Sequence, residues 1–220
     1  MDKDLKSLFE ESIYYDGPSD QLLTNERIVE IPFVFQNIPS NQELRILDFG
    51  CARSRLPIEL ASLGHRVVGV DLTDYDLKHP NFEFVKGDFL KDSFQSGSFD
   101  VVSAVSAIEH CGLGAYGEEP LSNGDFKVVQ EISRVLTNDG MFILTIPFGR
   151  RMQSSWYRVY DDEALVSLLD GFTIEKEKYF KGLERLHWIP ATKTDLLDID
   201  SVSNGYVQAV ACIVARKVRK

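Results

Sequence analysis

The chain has 220 residues, of which 44% are hydrophobic and 26% are charged, and its net charge is −10. This length and composition are typical of one globular domain and exclude a largely disordered chain. The acidic balance argues against a nucleic acid partner, because proteins that bind a phosphate backbone usually present a basic face.

The cysteines and the apolar runs indicate a protein of a reducing, aqueous compartment. Cys51, Cys111 and Cys212 lack the spacing of a disulfide scaffold or a zinc site, so we expect reduced thiols and no metal. No apolar run approaches the about 20 residues that a membrane span needs, and the N-terminus has no signal-peptide pattern. We therefore predict a cytoplasmic protein without a membrane span.

In chain order, residues 1–41 come first and contain three prolines, Pro18, Pro32 and Pro39, that we interpret as breaks between short helices. We expect this segment to form an N-terminal helical cap. From there to residue 146, apolar runs alternate with amphipathic stretches. The predicted strands are 44–49, 66–70, 81–86, 99–105 and 141–146, the predicted helices are 57–63 and 126–136, and a turn is predicted at 138–140.

The C-terminal part predicts a helix over 164–169, capped by Asp161 or Asp162, and a terminal pair of strands over 172–180 and 206–216. Residues 181–204 would be an insertion between these two strands. Strands separated by helices favour an α/β fold, a Rossmann-like, mainly parallel seven-stranded sheet with helices on both faces and a C-terminal antiparallel pair. We expect one domain over residues 1–220.

Ligands of such folds bind at the carboxyl ends of the strands, so the residues after each apolar run are candidates. The first strand ends in Asp48-Phe49-Gly50-Cys51, where a glycine permits close approach of a ligand. A carboxylate such as Asp48 needs a partner, which a ligand ammonium group would supply, whereas a pyrophosphate would be repelled. The alternative is a tight turn with Asp48 bonded to backbone N–H groups.

The next two strands also end in acidic residues followed by apolar ones. Asp71 can accept hydrogen bonds from both hydroxyls of a ribose, with Leu72 as a surface for an adenine. Asp88 can accept from the adenine amine, while Phe89 packs beside the ring. The alternatives are a helix cap at Asp71 and a plain turn at Asp88.

Five segments together resemble the class I S-adenosylmethionine-dependent methyltransferases: ILDFGCARSRLP, VVGVDLTD, FEFVKGDFL, FDVVSAVSAIEH and EISRVLTNDGMFILTIP. The resemblance implies S-adenosylmethionine as cofactor, with its methionine end at Asp48 and Gly50 and its ribose at Asp71. It also implies Ser106 as part of the cofactor pocket. The family's glycine loop often reads DxGxGxG, but Ala52 and Ser54 stand at the later glycines here, and Ala52 would be strained if its φ were positive.

The segment after the fourth strand, 106–124, contains the candidate catalytic residues. It resembles the E-H-x-G-L-G-x-Y-G loop of some small methyltransferases, a few of which are linked to glycan biosynthesis. Transfer to a hydroxyl needs a base, for which His110 is the first candidate because it titrates near neutral pH. Glu109 is the second candidate and would otherwise orient His110, and Tyr116 would shape the acceptor pocket. The alternative is a loop histidine that touches no proton.

Residues 150–160 combine arginines with aromatic rings, a composition suited to a planar, anionic or sugar acceptor. We predict Tyr157, Arg158 and Tyr160 as substrate-binding residues, with a solvated basic turn as the alternative. The function indicated is O-methylation of a small molecule or a sugar. A non-catalytic methyltransferase-like subunit and, with less support because GxGxxG is missing, an NAD-dependent oxidoreductase are the competing hypotheses.

Overall fold

A computed structural model describes residues 25–91, 94–183, 187–200 and 207–219. Ten strands are present in this part of the chain. They are β1 (Arg45–Phe49), β2 (Arg66–Asp71), β3 (Phe82–Lys86), β4 (Phe99–Val105), β5 (Leu136–Pro147), β6 (Met152–Gln153), β7 (Arg158–Val159), β8 (Phe172–Leu183), β9 (His187–Ala191) and β10 (Ala209–Lys217). Eight of them form one sheet in the order β3-β2-β1-β4-β5-β10-β8-β9, and β6 pairs with β7 as a separate hairpin.

The sheet is parallel from β3 to β5 and antiparallel from β10 to the β9 edge. The predicted α/β fold with a mainly parallel sheet is therefore confirmed, but the count of seven strands is wrong by one. The extra strand is β9, which lies in the expected insertion 181–204 and pairs with the end of β8 from Tyr179 to Leu183. Residues 201–206, including the predicted start of the last strand, lie outside the described residues.

The helices cover both faces of the sheet. They are α1 (Arg27–Asn37), α2 (Leu56–Ser62), α3 (Gly124–Val135), α4 (Asp162–Leu168) and α5 (Lys193–Leu196). Successive residues of a strand point to opposite faces, so Ile46 packs in the cluster with α1 and α2 while Leu47 packs in the cluster with α3 and α4. The longest of these helices has 12 residues, whereas a helix that spans a bilayer needs about 20.

Two local predictions are wrong. Pro32 lies inside α1 rather than at a break, and the helix continues because Ile31, Phe33 and Val34 bury its apolar face against the sheet. Residues 138–140 belong to β5 rather than to a free turn. Asp139 has a φ of 62° there, and the pairing of β5 with β4 shifts its register beside this irregularity. Asp161 caps α4 through the N–H of Ala164, as predicted. The N-terminal cap prediction falls mostly on residues 1–24, outside the described residues.

The register of the central strands brings the candidate residues to one edge. Asp48 of β1 lies beside Gly69 of β2 on one side and beside Ser103 of β4 on the other. The loops that follow these strands therefore meet above β1, at the carboxyl edge where α/β sheets bind ligands.

Candidate active site

A cavity of about 550 Å³ opens at this carboxyl edge. All eight residues predicted for the cofactor line it, together with two predicted for catalysis and the acceptor. They are Asp48, Gly50, Cys51, Asp71, Leu72, Asp88, Phe89 and Ser106, with His110 and Tyr116. The volume lies within the usual range for small-molecule sites, roughly 300–1,000 Å³.

Asp48 is buried at the bottom of this cavity with a hydroxyl as its nearest partner. The Oγ of Ser103 donates to Asp48 Oδ1 at 2.7 Å, so the partner comes from β4 and not from the backbone N–H groups that the alternative required. Burial, with a smaller contribution from nearby Asp71, raises the pKa of Asp48 to about 7 against the lowering effects of Ser103 and Arg27. A bound cation would stabilise the ionised form, so this carboxyl fits the ammonium group of a ligand.

The turn after β1 is strained at Ala52. Gly50 has a φ of 67° and Ala52 a φ of 40°, in the left-handed region that non-glycine residues avoid. A Cβ on Gly50 would lie 2.5 Å from the Cβ of Ala107, so this glycine is required by the chain's own packing. The N–H of Ala52 donates to Asp71 Oδ2 at 2.7 Å, and this bond helps to hold the strained residue.

Asp71 joins the first two strand ends. Its Oδ2 accepts from Ala52, and its Oδ1 accepts from the N–H and hydroxyl of Thr73 at 2.8 and 2.7 Å. No helix begins here, so the helix-cap alternative does not apply. A carboxylate has about four lone-pair sites. Three are used here, so Asp71 retains about one site for a hydroxyl group of a ligand in the cavity.

The third strand end is organised differently from the prediction. Asp88 Oδ1 accepts from the N–H of Leu90 at 3.1 Å and Oδ2 lies 3.1 Å from Lys91 Nζ, which is the turn role considered as its alternative. Phe89 is buried against Phe49, with ring centroids 5.1 Å apart. Leu72, directly after β2, is more than one third exposed and lines the same cavity. It offers an apolar surface beside the end of β3.

The first helix contributes residues that the sequence analysis missed. Arg27 of α1 lines the cavity, and its Nη1 pairs with the fully buried Glu30. Glu30 Oε1 accepts from the Oγ of Ser106 at 2.8 Å, so the hydroxyl of this cavity-lining residue bonds to α1. The i,i+3 spacing of Arg27 and Glu30 indicates a helical ion pair, but nothing in the sequence places it at the site.

His110 lies in a short 3₁₀ turn, Ile108–His110, and faces the cavity. Its Nδ1 lies 2.7 Å from the backbone carbonyl oxygen of Trp156, which can only accept a hydrogen bond. Nδ1 is therefore the protonated nitrogen of the neutral ring, and Nε2 carries the lone pair. Burial lowers the pKa of His110, so the ring is neutral and able to take a proton at neutral pH.

Glu109 does not take the orienting role predicted for it. It is buried outside the cavity wall, its Oε1 is 3.9 Å from His110 Nε2, and the orienting bond comes from Trp156 instead. Within the described residues, its Oε2 has no hydrogen-bond partner. Burial, together with the negative charge of Glu30, raises the pKa of Glu109 to about 8. This carboxyl therefore keeps its proton at neutral pH.

Two exposed aromatic rings flank His110. Tyr116 and Trp156 are each about half exposed, at 49% and 48%, and their ring centroids are 5.0 Å apart. Both rings meet the imidazole edge-on, with centroids 5.4 and 5.5 Å from it. We call Tyr116 and Trp156 the aromatic lip. Tyr116 was predicted near the acceptor, whereas Trp156 was not singled out.

Two of the three residues predicted to bind substrate, Arg158 and Tyr160, make hydrogen bonds to other residues of the protein. Arg158 Nη1 donates to the carbonyls of Cys111 and Glu109 at 2.8 and 3.3 Å, and its Nε lies 3.5 Å from Asp125 Oδ2. Tyr160 is buried and donates to the same Asp125 oxygen at 2.8 Å. Both side chains are thus held by hydrogen bonds to the chain itself, and neither lines the cavity that contains His110.

Tyr157 and the cysteines add little that is reactive. The ring of Tyr157 lies 6.4 Å from that of His110, and its hydroxyl is buried without a partner among the described residues.

All three cysteines are free thiols, and burial raises the pKa of each. Across the ranges the structure describes, no group of three or more His, Cys, Asp or Glu side chains is placed to hold a metal ion.

Residues 47–144 match the family model described as a methyltransferase domain. This segment is thus similar to a methyltransferase domain, and the fold is shared with solved S-adenosylmethionine-dependent methyltransferases, which bears out the class predicted from the sequence. Among curated proteins, it is similar to a ubiquinone biosynthesis O-methyltransferase of Leptothrix cholodnii, with 24% identity over 76% of this chain and 71% of that protein.

Two further similar proteins differ more from this chain, one in its length and one in its sequence. A sterol 24-C-methyltransferase of Debaryomyces hansenii is 28% identical over 62% of this chain, which spans only 36% of that protein. The 1,6-didemethyltoxoflavin N1-methyltransferase of Burkholderia thailandensis, solved with its acceptor and S-adenosylhomocysteine, has a TM-score of 0.56 at 16% identity over 93% of each chain. At that identity the likeness shows the shared fold alone.

Proposed function

We propose that this chain binds S-adenosylmethionine in the cavity above β1 and methylates a hydroxyl group of a small, ring-bearing acceptor. The observation that supports the proposal most strongly is the buried carboxyl of Asp48, which lies in one cavity with Asp71 and His110. A buried acid without a countercharge is costly, and a ligand that brings an ammonium group offsets that cost.

The cavity offers a complementary group for each part of the cofactor. The ammonium of its methionine end fits Asp48, and the guanidinium of Arg27, which has five N–H donors, fits its carboxylate. Asp71 fits a hydroxyl of the ribose. Leu72 and Phe89 form the apolar surface for the adenine, with Asp88 at the same end of the cavity.

His110 is the proposed base. When bound, S-adenosylmethionine supplies a methyl group on a positively charged sulfur, which leaves as a neutral thioether when the new O–C bond forms and the S–C bond breaks. The lone pair on His110 Nε2 takes the proton that the hydroxyl loses, and the Trp156 carbonyl stabilises the resulting imidazolium through Nδ1–H. The remaining contribution of the site is to hold the acceptor in line.

The aromatic lip favours an acceptor with a planar ring. Two half-exposed rings beside the proposed base bury apolar surface of an acceptor and leave its hydroxyl near His110. Glu118 and Glu119 also line the cavity, which disfavours a negatively charged acceptor. The similarity to a ubiquinone biosynthesis O-methyltransferase supports an aromatic alcohol over a sugar.

Mass spectrometry with deuteriomethyl-labelled S-adenosylmethionine tests this proposal. We expect a trideuteriomethyl ether on catechol, and little transfer to glucose or to a matched benzene derivative without a hydroxyl. His110→Ala should lower turnover by about 10²–10⁴-fold while binding of S-adenosylhomocysteine changes little. His187→Ala, an exposed histidine on β9, serves as the control.

The outcomes separate the hypotheses. Transfer to glucose but not to catechol would favour the sugar acceptor. Tight cofactor binding with no transfer to any hydroxyl compound would favour the non-catalytic subunit. Equal turnover in His110→Ala and the unaltered chain would remove His110 as the base.

A further inference from the structure

The hairpin formed by β6 and β7 lies directly against the His110 turn. Its strands pair Met152 with Val159 and Gln153 with Arg158. The turn between them is closed by Ser154, whose Oγ accepts from the N–H groups of Trp156 and Tyr157 at 3.1 and 3.0 Å. Together with the backbone bond from the Ser154 N–H to the Tyr157 carbonyl at 2.9 Å, these bonds hold the backbone of Trp156 in place.

The hairpin contacts the His110 turn at three backbone or ring atoms. The Trp156 carbonyl accepts from His110 Nδ1, at 2.7 Å. The Arg158 guanidinium donates to the carbonyls of Glu109 and Cys111, the residues immediately before and after His110. One bond therefore orients the imidazole ring, and two bonds hold the backbone that carries it.

Arg158 is itself held in place by a buried network. Its side chain is only 11% exposed, its Nε lies 3.5 Å from Asp125 Oδ2, and Tyr160 donates to that carboxylate. Asp125 belongs to the first turn of α3, so the network ties the hairpin and the His110 turn to the sheet-packed helix. A planar guanidinium can bridge two carbonyls in a fixed geometry, which a lysine ammonium does not reproduce.

We propose that the hairpin is a positioning device for the base, in which Arg158 and Ser154 act through His110 rather than on the acceptor. Arg158 holds the His110 turn at the correct distance from the hairpin, and Ser154 aims the Trp156 carbonyl at Nδ1. Together they keep the neutral ring in the form that carries its proton on Nδ1 and its lone pair on Nε2. The catalytic consequence rests on the proposed role of His110 as base, whereas the structural consequence for the ring does not.

Nitrogen-15 NMR of the histidine rings tests the structural consequence without an acceptor. The chain has four histidines, so the signals that vanish in His110→Ala identify this ring. At pH 8, with S-adenosylhomocysteine added, we expect the Nδ1–H form to predominate in the unaltered chain. In Ser154→Ala and in Arg158→Lys the Nε2–H form should appear in a measurable fraction.

Two variants keep the test independent of folding defects. Arg158→Met combined with Asp125→Asn removes both charges of the buried pair, so that no lone charge is left in the interior. Trp156→Phe removes the indole but retains the backbone carbonyl, and its His110 tautomer should remain that of the unaltered chain. An unchanged tautomer in both Ser154→Ala and the Arg158 variants would overturn the proposal.

Kinetics with catechol as acceptor test the catalytic consequence. We expect kcat to fall by about ten- to a hundredfold in the double variant, with the affinity for S-adenosylhomocysteine changed less than about twofold. In the His110→Ala background the same substitutions should add almost nothing, because they act through the missing ring. An equal loss in both backgrounds would overturn the positioning role. A tautomer change combined with full activity in His110→Ala would retain the positioning device and refute the proposed base.

Discussion

At the scale of single residues, the site depends most on an acid in an unfavourable place. Asp48 lies in the interior of the sheet, where burial opposes its ionisation and one serine hydroxyl is its nearest partner. The free site therefore holds a proton near neutral pH, and a cationic ligand must displace it. This coupling between ligand and proton gives the cavity a measurable signature.

We predict that the affinity for S-adenosylhomocysteine depends on pH through Asp48. The pKa of Asp48 in the free protein is raised to about 7, and the ligand ammonium prefers the ionised form. Affinity should thus be constant above pH 7 and fall by up to about tenfold per unit below it. Calorimetry over pH 5.5–8.5 checks this, with Asp48→Asn as a weak and pH-independent control. A flat profile in the unaltered chain would contradict the assignment.

The strained alanine gives a second prediction at this scale. Ala52→Gly should raise the free energy of unfolding by about 0.5–1 kcal/mol, because relief of the left-handed strain exceeds the entropy that glycine loses. Ala61→Gly in α2, at a buried helical position, should lower it by at least about 1 kcal/mol, because it costs helix propensity and a packed methyl group. Urea denaturation measures both changes, and parallel losses of stability would show that position 52 carries no strain.

At the scale of elements, α1 is joined to the cavity through one buried side chain. Glu30 connects Arg27, which lines the cavity, to Ser106 at the end of β4. The helix that the sequence analysis treated as part of a cap is therefore a wall of the site, and its docking affects both stability and binding.

Substitution of Glu30 should destabilise the folded protein. We predict that Glu30→Ala lowers the free energy of unfolding by about 2–3 kcal/mol and weakens cofactor binding, because it removes the nearer of two carboxylate partners of Arg27 and the acceptor of the Ser106 hydroxyl. Glu43→Ala breaks the exposed pair with Arg66 and should change the free energy of unfolding by less than about 1 kcal/mol. Thermal denaturation of the two variants side by side measures the difference; similar values would contradict the buried linkage.

The elements were predictable where one local signal dominated. Strands such as β2 and β4 combine β-branched residues with a clear boundary, and their predicted ranges agree with the structure within a residue. Pro32 was misinterpreted because burial of one helix face outweighs the local cost of proline. The edge strand β9 was missed because its pairing with β8 is a tertiary contact that five residues do not encode.

The residues of the site also divide into those that the sequence predicts and those that it does not. Residues at the end of a strand, such as Asp48 and Asp71, were placed correctly in one cavity because the sheet topology brings strand ends together. Arg27, the Trp156 carbonyl and the internal partners of Arg158 were not predictable, because each contact joins segments that are distant along the chain. A backbone carbonyl, in addition, has no signature in an amino-acid sequence.

At the scale of the whole molecule, the buried acid Glu109 makes the free energy of unfolding depend on pH. The pKa of Glu109 is raised to about 8, so between its ordinary value and pH 8 the folded protein binds more protons than the unfolded chain. Stability must therefore fall as pH rises through this interval, and remain low above it.

We predict that Glu109→Gln removes this loss. The variant should resemble the unaltered chain near pH 4.5 and exceed its free energy of unfolding by roughly 1–3 kcal/mol at pH 9. Glu83→Gln, an exposed site on β3, should show no such difference at either pH. Denaturation at the two pH values measures it, and a variant that is less stable at pH 9 would show that ionised Glu109 is stabilising.

The central claim is that the cavity above β1 binds S-adenosylmethionine, and parallel calorimetric titrations test it most directly. We predict saturable binding of S-adenosylmethionine and S-adenosylhomocysteine with one site per chain, severe weakening of both in Asp71→Ala, and no binding of NAD. Binding of NAD without binding of either methionine-derived ligand would contradict the account.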